Sequence, residues 1–338
     1  GLDLDERHDA VIGLEVERWQ GIVGPRVSLE ALDVLAPGAP LAGQCVQACD
    51  AVCPQRLALG DLRAMVERPA DPRPSPPPAA PPLGVRDRRG EGAALSTLAA
   101  LAGADRGVVA VVSDVARRRA ALVAALEPGR LGVEVAVLGG ARCDPGALTA
   151  RLALARGVPS LAMLDYARLA EIDPPPGMHI VLVDPPASAG EAAWAAHRCA
   201  GRWAHLVWGE PEAELALRVA EDEWEPRPAV TAIWTGLRDG APRAWGPELE
   251  RVLLGDGPAS RPPAVAARAL RVLAELGLVA IGPDGVVATA DPERRELESS
   301  TLYRACRERL EEARRFLALA PTLDLFAMAE EEPGILVR

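Results

Sequence analysis

The 338-residue sequence contains no lysine and no asparagine, and all 37 of its basic residues are arginine. A phosphate-binding P-loop needs a lysine that reaches the phosphates, and Schiff-base and pyridoxal-phosphate chemistry need a lysine amine. The absence of lysine therefore excludes P-loop nucleotide hydrolysis and lysine-dependent covalent catalysis from this chain.

Histidine is almost as scarce. The four histidines are His8, His179, His197 and His205, and none of them stands in an HxxxH, HExxH or Asp-His-His arrangement. No GxSxG turn that would expose a serine nucleophile occurs either. The carboxylates of Asp3 and Asp5 could hold Mg²⁺ in principle, but no further carboxylate or histidine stands near them. The sequence therefore predicts no catalytic residues and no resident cofactor in this chain.

Cysteine is too rare and too irregularly spaced to form a disulfide framework, since the chain has six in total. We therefore expect reduced thiols. Cys45, Cys49 and Cys53 recur every four residues and would share one face of a helix. Thiolates placed in this way could bind a metal ion, but a fourth ligand is not evident. A metal site and a face of small apolar residues both remain open.

The net charge of −11 argues against a surface that binds polyanions uniformly, although it leaves room for a local basic groove. No apolar run reaches 18 residues without a charge, so the sequence predicts no membrane span. The N-terminal residues lack methionine and the layout of a signal peptide. We therefore expect a cytoplasmic chain that begins inside a longer protein.

The chain divides into five predicted segments. Residues 1–35 read as two strands, Val11–Val16 and Val27–Ala31, joined near Gly21, Gly24 and Pro25, because apolar and polar side chains alternate there. Residues 36–104 hold the cysteines and a linker with eight prolines at positions 69–82, a composition typical of a polyproline spacer. The remaining segments are residues 105–250, residues 251–320 and a tail at 321–338.

Residues 105–250 alternate short apolar runs with helical segments, which indicates a parallel α/β sheet. The predicted strands are Val108–Val112, Val133–Leu138, Ser160–Leu164, His179–Val183 and Ala204–Trp208. The predicted helices are Ala116–Leu126, Ala147–Ala155 and Ala189–Ala200.

A different pattern begins near Pro262. An amphipathic helix is predicted over Ala264–Glu275 and ends at Gly277, and a hairpin is predicted around Pro283–Gly285. A helix followed by a hairpin is typical of the end of a winged-helix unit. A long charged helix is predicted over Glu296–Leu319.

Two groups of residues are candidates for contact with nucleic acid. Residues 84–130 contain eight arginines against five acids, and Arg117, Arg118 and Arg119 open the first predicted helix of the sheet region. Such a strip fits a groove that follows a phosphate backbone, although a solvated helix face explains it as well. Trp19, with Arg18 beside it and Arg26 on the next strand, could stack bases and bind phosphates. Alternatively, Trp19 closes the end of a small barrel.

The tetrapeptide Asp184–Ala187 follows a predicted strand, where α/β sheets place ligands. It is comparable to a tetrapeptide of DNA amino-methyltransferases, whose last residue is an aromatic that stacks on the flipped base. In this chain the last residue is alanine. A strand end at which proline forces a turn is the competing interpretation.

The residues from Gly13 to Glu30 resemble the closing strands of the OB-fold domain of RecJ, the bacterial single-stranded-DNA-specific exonuclease. The positions that fall on this pattern are Leu14, Trp19, Gly21, Pro25, Val27 and Leu29. Some RecJ proteins continue into a degenerate helicase-type α/β domain. The stretch His179–Ser188 is similar to one strand of that domain, and Pro263–Val279 is similar to its helical end.

The resemblance implies an α/β and β fold with partial OB-type barrel strands, a parallel helicase-like domain and a winged-helix-like end. It also implies a non-catalytic C-terminal part of a 5′→3′ exonuclease that acts in DNA repair and recombination. The family's Mn²⁺ or Mg²⁺ ions would then belong to a catalytic core outside this chain. The implied partners are single-stranded DNA and other DNA-repair proteins. A protein–protein interaction module and a degenerate DNA methyltransferase are the alternatives.

Overall fold

The computed structural model describes residues 8–19, 22–34, 65–66, 76, 80–103, 107–115, 117–118, 122, 136–139, 160–238, 243–255, 261–290, 293 and 295–327. At 8–19, 22–34, 103, 136–139 and 160 it describes the backbone alone. The predicted helix Ala147–Ala155, most of the predicted helix Ala116–Leu126, the three cysteines of residues 45–53, and Asp3 and Asp5 lie outside the described residues.

Strands and helices both occur along most of the described part of the chain. The strands are β1 (His8–Trp19), β2 (Ile22–Val34), β3 (Gly84–Asp87), β4 (Gly107–Val112), β5 (Ala136–Gly139), β6 (Ser160–Asp165), β7 (His179–Leu182), β8 (Trp203–Leu206), β9 (Arg243–Ala244), β10 (Val279–Ile281) and β11 (Gly285–Ala288). The helices are α1 (Ala94–Gly103), α2 (Tyr166–Glu171), α3 (Ala189–Cys199), α4 (Glu210–Trp224), α5 (Pro226–Leu237), α6 (Pro247–Leu254), α7 (Pro263–Glu275) and α8 (Thr301–Ala318).

The chain forms two compact units. The first, called the sheet unit, contains β1–β8 with α1 and α2, and the second, called the helical unit, contains α3–α8 and β9–β11. In the sheet unit, β1 and β2 form an antiparallel ribbon, and six strands form a parallel sheet in the order β3-β8-β7-β4-β6-β5. The prediction of a mixed α/β fold with a parallel sheet is confirmed.

The core of the sheet unit is built around β4, which pairs with β6 on one side and β7 on the other. Its residues Val108–Val112 have no exposed surface. Leu98 and Ala102 of α1 pack against the face that Val108 and Ala110 share. A continuous apolar run of this kind is typical of a parallel strand covered on both faces, which explains why the sequence indicated this strand correctly.

The parallel sheet begins earlier in the chain than residue 105. The edge strand β3 pairs in parallel with β8, and α1 follows it. Gly84 lies under the ring of Trp203, and a Cβ atom at position 84 would overlap that ring. Both β3 and α1 therefore belong to the sheet unit rather than to a linker.

In the helical unit, α5, β9, α6, α7, β10 and β11 follow one another, and the strands form a three-stranded antiparallel sheet in the order β10-β11-β9. The core of this region contains Ile233 of α5, Leu253 of α6 and Leu270 of α7. Helix α7 ends as predicted. Gly277 has a φ of +70° just after the helix, and the chain then continues into β10.

Helix α8 begins five residues later than the charged run at Glu296 suggested. The side chain of Ser300 accepts a hydrogen bond from the backbone N–H of Tyr303, so Ser300 caps the helix. After α8, the backbone carbonyl of Ala320 accepts a hydrogen bond of 3.0 Å from the indole Nε1 of Trp208, which is almost fully buried.

Gly285 sets the approach of β9 to β11. A Cβ atom at Gly285 would overlap the backbone carbonyl oxygen of Arg243, and Gly285 has a φ of +155°. At Gly277 the φ is also positive, but nothing lies within 4 Å of such a Cβ atom. We expect Gly285→Ala to lower the free energy of unfolding of the helical unit by about 3 kcal/mol and Gly277→Ala by about 1 kcal/mol.

Urea unfolding followed by tryptophan fluorescence compares these two variants. Hydrogen exchange at the amides of Ala280 and Val286 reports whether the small sheet opens locally in Gly285→Ala. If the free energy of unfolding falls equally in the two variants, the close approach of β9 contributes nothing beyond the backbone conformation that glycine allows.

Candidate nucleic-acid interface

The antiparallel ribbon of β1 and β2 carries the three residues with which the sequence predicts a stacking platform. Trp19 pairs with Ile22 at the closed end of the ribbon, Arg18 pairs with Val23, and Arg26 pairs with Glu15. Residues that pair directly share a face of the ribbon, and consecutive residues alternate between faces. Positions 19 and 26 therefore belong to one face and position 18 to the other.

The connection between the two strands is shorter than the sequence indicated. Gly24 and Pro25 lie within β2, paired with Glu17 and Val16, so that Gln20 and Gly21 alone separate the strands. Between Val11 and Ile12 the register shifts by one residue, as in a β-bulge. These features place Arg18 and Trp19 at the end of a long ribbon.

Arg117 and Arg118 lie in the first turn of a helix that follows β4. The carboxylate of Asp114 accepts a hydrogen bond from the backbone N–H of Arg117 at 3.2 Å and forms a salt bridge with its guanidinium at 3.2 Å. Asp114 therefore compensates part of the positive charge. Such exposed ion pairs contribute little energy. Arg119 lies outside the described residues.

The three arginines around the end of β3 have different surroundings. Arg89 forms a salt bridge with Asp87 at 2.5 Å, and this hydrogen bond lowers the pKa of the Asp87 carboxyl. Arg88 forms a salt bridge with Glu91 at 2.9 Å and donates to the Thr97 hydroxyl at 3.0 Å. The guanidinium of Arg86 lies 5.9 Å from the centre of the Trp203 ring.

Two buried histidines, on β7 and β8, face each other near the edge strand β3. His179 Nδ1 and His205 Nε2 are 2.8 Å apart and share a hydrogen bond. The Trp203 ring lies parallel to that of His179, with the ring centres 6.4 Å apart. Burial is the main cause that lowers the pKa of His205 to about 4, with the charges of His179 and Arg86 acting in the same direction. His205 is therefore neutral at pH 7.

The sequence does not indicate this pair, because His179 and His205 stand 26 residues apart on separate strands. The pairing of Val181 with His205 and of His179 with Trp203 brings them together. The proximity of the two histidines could be predicted only with knowledge of the strand order in the sheet.

The segment Asp184–Ser188 is closed rather than open to a ligand. Asp184 has no exposed surface, and Ser188 is almost fully buried. The Ser188 hydroxyl accepts hydrogen bonds from the backbone N–H of Glu191 at 3.2 Å and from the guanidinium of Arg309 at 3.1 Å. These contacts favour the interpretation of this segment as a structural turn at a strand end.

The remaining reactive groups of the described residues are few. No group of three or more histidine, cysteine, aspartate or glutamate side chains that could hold a metal ion occurs within the described ranges. Cys199 and Cys306 are buried and form no disulfide, and burial raises the pKa of Cys306. No helix among those that the structure describes is long and apolar enough to cross a membrane.

The sequence was compared with protein-family models and with curated proteins, and neither comparison finds a match.

The histidine pair makes the stability of the sheet unit dependent on pH. The pKa of His205 is about 4 in the folded chain against 6.5 ordinarily, so the unfolded chain binds more protons between these values. The contribution of His205 to the free energy of unfolding is therefore constant above pH 7 and falls, by up to about 3 kcal/mol, as the pH drops from 6.5 to 4. Urea unfolding followed by circular dichroism across this range measures the slope.

The variant His205→Gln isolates this contribution, because its amide can still form a hydrogen bond with His179 but does not titrate in this range. The matched control His197→Gln removes a histidine of α3 and leaves the pair unchanged. We expect a smaller slope in His205→Gln and the wild-type slope in His197→Gln. The same slope in all three proteins would contradict the assignment.

Proposed function

We propose that this chain is the C-terminal, non-catalytic part of a RecJ-like single-stranded-DNA-specific 5′→3′ exonuclease. In this proposal the ribbon of β1 and β2 holds single-stranded DNA, and the sheet and helical units position DNA or bind other DNA-repair proteins in the cytoplasm. The Mn²⁺ or Mg²⁺ ions that hydrolyse the phosphodiester would be held by a catalytic core outside this chain.

The observation that carries the proposal is the position of Arg18 and Trp19 at the closed end of a ribbon of 12- and 13-residue strands. Binding single strands without sequence preference needs an aromatic ring on which bases stack and cations for the phosphates. Trp19 and Arg26 on one face supply both, with Arg18 on the opposite face. The resemblance of Gly13–Glu30 to closing strands of an OB-fold supports the same use.

The described residues that follow β3, β4 and β6 support a non-catalytic role. Arg88 is held by Glu91 and Thr97, and Asp114 is held by Arg117. The Asp165 carboxylate accepts a hydrogen bond of 2.7 Å from the backbone N–H of Arg168 and caps α2. The carboxyl ends of parallel strands are where α/β sheets bind ligands. In this sheet each of these groups is bound by a residue close to it in the same segment of chain.

The order of α5, β9, α6, α7, β10 and β11 supports a winged-helix-like unit, in which α7 would take the position of the DNA-reading helix. Helix–turn–helix proteins read bases with an exposed face of that helix. The corresponding face of α7 is occupied, because Arg268 lies 4.1 Å from the Trp224 ring and Glu275 accepts hydrogen bonds from Ser300 and Leu302. We therefore assign this unit a docking role and not base recognition.

A protein–protein interaction module without any nucleic-acid function is the second candidate. The occupied face of α7 and the net charge of −11 favour it. The degenerate methyltransferase has no such support, because Asp184 is fully buried. Salt dependence separates the first two candidates, since the affinity for a single strand falls with salt in proportion to the phosphates contacted.

Replacing the tryptophan tests the proposal directly. We expect Trp19→Ala to weaken binding of a fluorescent oligo-dT strand by about 1–3 kcal/mol, because one stacking ring is lost, and Trp19→Phe to retain most of the affinity. Fluorescence anisotropy at several salt concentrations measures the dissociation constants. Arg26→Ala should reduce the slope of log affinity against log salt by about 0.7.

The exposed Arg304 of α8 provides the matched control, since Arg304→Ala removes the same charge from the helical unit. Its affinity and salt slope should equal those of the wild type. An unchanged affinity in Trp19→Ala would reject the ribbon as the DNA-binding element and favour the protein–protein module.

A further inference from the structure

The outer edge of β3 is an exposed sheet edge. Strand β3 pairs with β8 and is the first strand in the order of the six-stranded sheet, so the described residues give it a single neighbour. Val85, Arg86 and Asp87 are all exposed. Alternate residues of an edge strand direct their N–H and C=O groups away from the sheet.

The two faces of this edge differ in chemistry. Val85 is 40% exposed, and Leu83, whose N–H donates to the carbonyl of Arg202, is 63% exposed. Arg86 lies on the other face, because side chains alternate along a strand, and it pairs in register with the buried His205. The edge therefore presents Leu83 and Val85, followed by Asp87 with its partner Arg89, on one face and the Arg86 guanidinium on the other.

Arg86 provides the charge of this edge. Asp87 is bound by Arg89 and Glu91 by Arg88, whereas no carboxylate of the described residues forms a salt bridge with Arg86. The Trp203 ring lies under the Arg86 guanidinium and restricts where it can reach. A carboxylate on a neighbouring strand would find a positioned cation there.

We propose that the outer edge of β3 binds an extended segment of a protein partner as an added strand, with apolar side chains beside Val85 and a carboxylate opposite Arg86. Strand addition uses backbone hydrogen bonds for affinity and alternate side chains for specificity. Directly opposite side chains on neighbouring strands interact, so the chemistry of the edge defines that of its partner. This binding is independent of the DNA-binding role of the ribbon.

A peptide fits this edge better than a nucleic acid. The backbone N–H and C=O groups of a strand need a partner that both accepts and donates, and phosphates accept only. The aliphatic side chains of Leu83 and Val85 offer neither a ring for a base nor a cation for a phosphate. The aliphatic face thus distinguishes this edge from the ribbon. On the other face the Trp203 ring beside Arg86 is partly buried and lies against Gly84.

Defined peptides test the proposal on the full 338-residue chain. The probe is a fluorescein-labelled eight-residue peptide that alternates valine and glutamate. The controls are a peptide that alternates valine and lysine, and a labelled oligo-dT strand. Anisotropy measures affinity, and hydrogen exchange at the amides of residues 84–87 locates binding. We expect saturable binding of the acidic peptide and slower exchange at these amides.

Two variants and two matched controls assign the contacts. We expect Arg86→Glu to weaken acidic-peptide binding about tenfold, because an attractive pair becomes repulsive, and Val85→Asp to weaken it to a similar degree. Val287→Asp changes an equally exposed valine of β11, and Arg304→Glu reverses an exposed charge of α8. Both controls should bind as the wild type does, and circular dichroism verifies that all four variants fold.

Four outcomes would overturn the proposal. The first is that the acidic and basic peptides bind equally, and the second is that the amides of residues 84–87 exchange at the same rate with and without peptide. The third is that the oligonucleotide slows exchange at these amides, which would make the edge a nucleic-acid contact. The fourth is that sedimentation shows a dimer that Val85→Asp dissociates while no peptide binds, which would identify a second copy of the chain as the occupant.

Discussion

The parallel sheet depends on β4, because this strand pairs on both sides and is covered on both faces. Each fully buried valine of such a strand stabilises the fold by about 1.5–3 kcal/mol relative to an exposed one. The exposed surface of Val108–Val112 is zero, so almost any polar substitution there would place an unpaired group in the core. The strands on either side, β6 and β7, pair directly with β4. The edge strand β3 is connected to β4 through β7 and β8.

Arginine has several distinct uses in this lysine-free chain. Arg202 is buried and binds Asp173 at 3.0 Å, so it joins two loops of the sheet unit. In the helical unit, Arg307 and Arg314 of α8 form salt bridges with Glu225 and Glu221. These pairs join α8 to the end of α4 along an antiparallel contact. Several of the described arginines are thus engaged in ion pairs that join elements within one unit.

The elements that local sequence specifies were predictable. The central strands β4, β6 and β7 are continuous apolar runs, and the end of α7 follows from Gly277. Strand β3 was missed because Gly84–Asp87 is short and half charged, and only its pairing with β8 makes it a strand. Helix α4 was also missed, since its buried residues are limited to Ala216 and Ala220 and give a weak apolar pattern.

The same limit applies to the candidate sites. The proximity of Trp19 to Arg26 follows from a short hairpin, so sequence reasoning could place these residues together. The histidine pair and the exposed face of Val85 depend on the strand order, which no local pattern encodes. Asp184 is the opposite case. Its motif suggested a ligand site, whereas its burial and the hydrogen bonds of Ser188 indicate a structural turn.

The hydrogen bond between the Trp208 indole and the Ala320 carbonyl spans 112 residues of chain. During synthesis on a ribosome, the indole N–H of Trp208 emerges long before the carbonyl that satisfies it. A buried N–H without an acceptor costs about 1–3 kcal/mol, so the nascent helical unit stays incomplete until residue 320 has left the exit tunnel. Completion of this unit is therefore expected to come late, after translation has passed the last turn of α8.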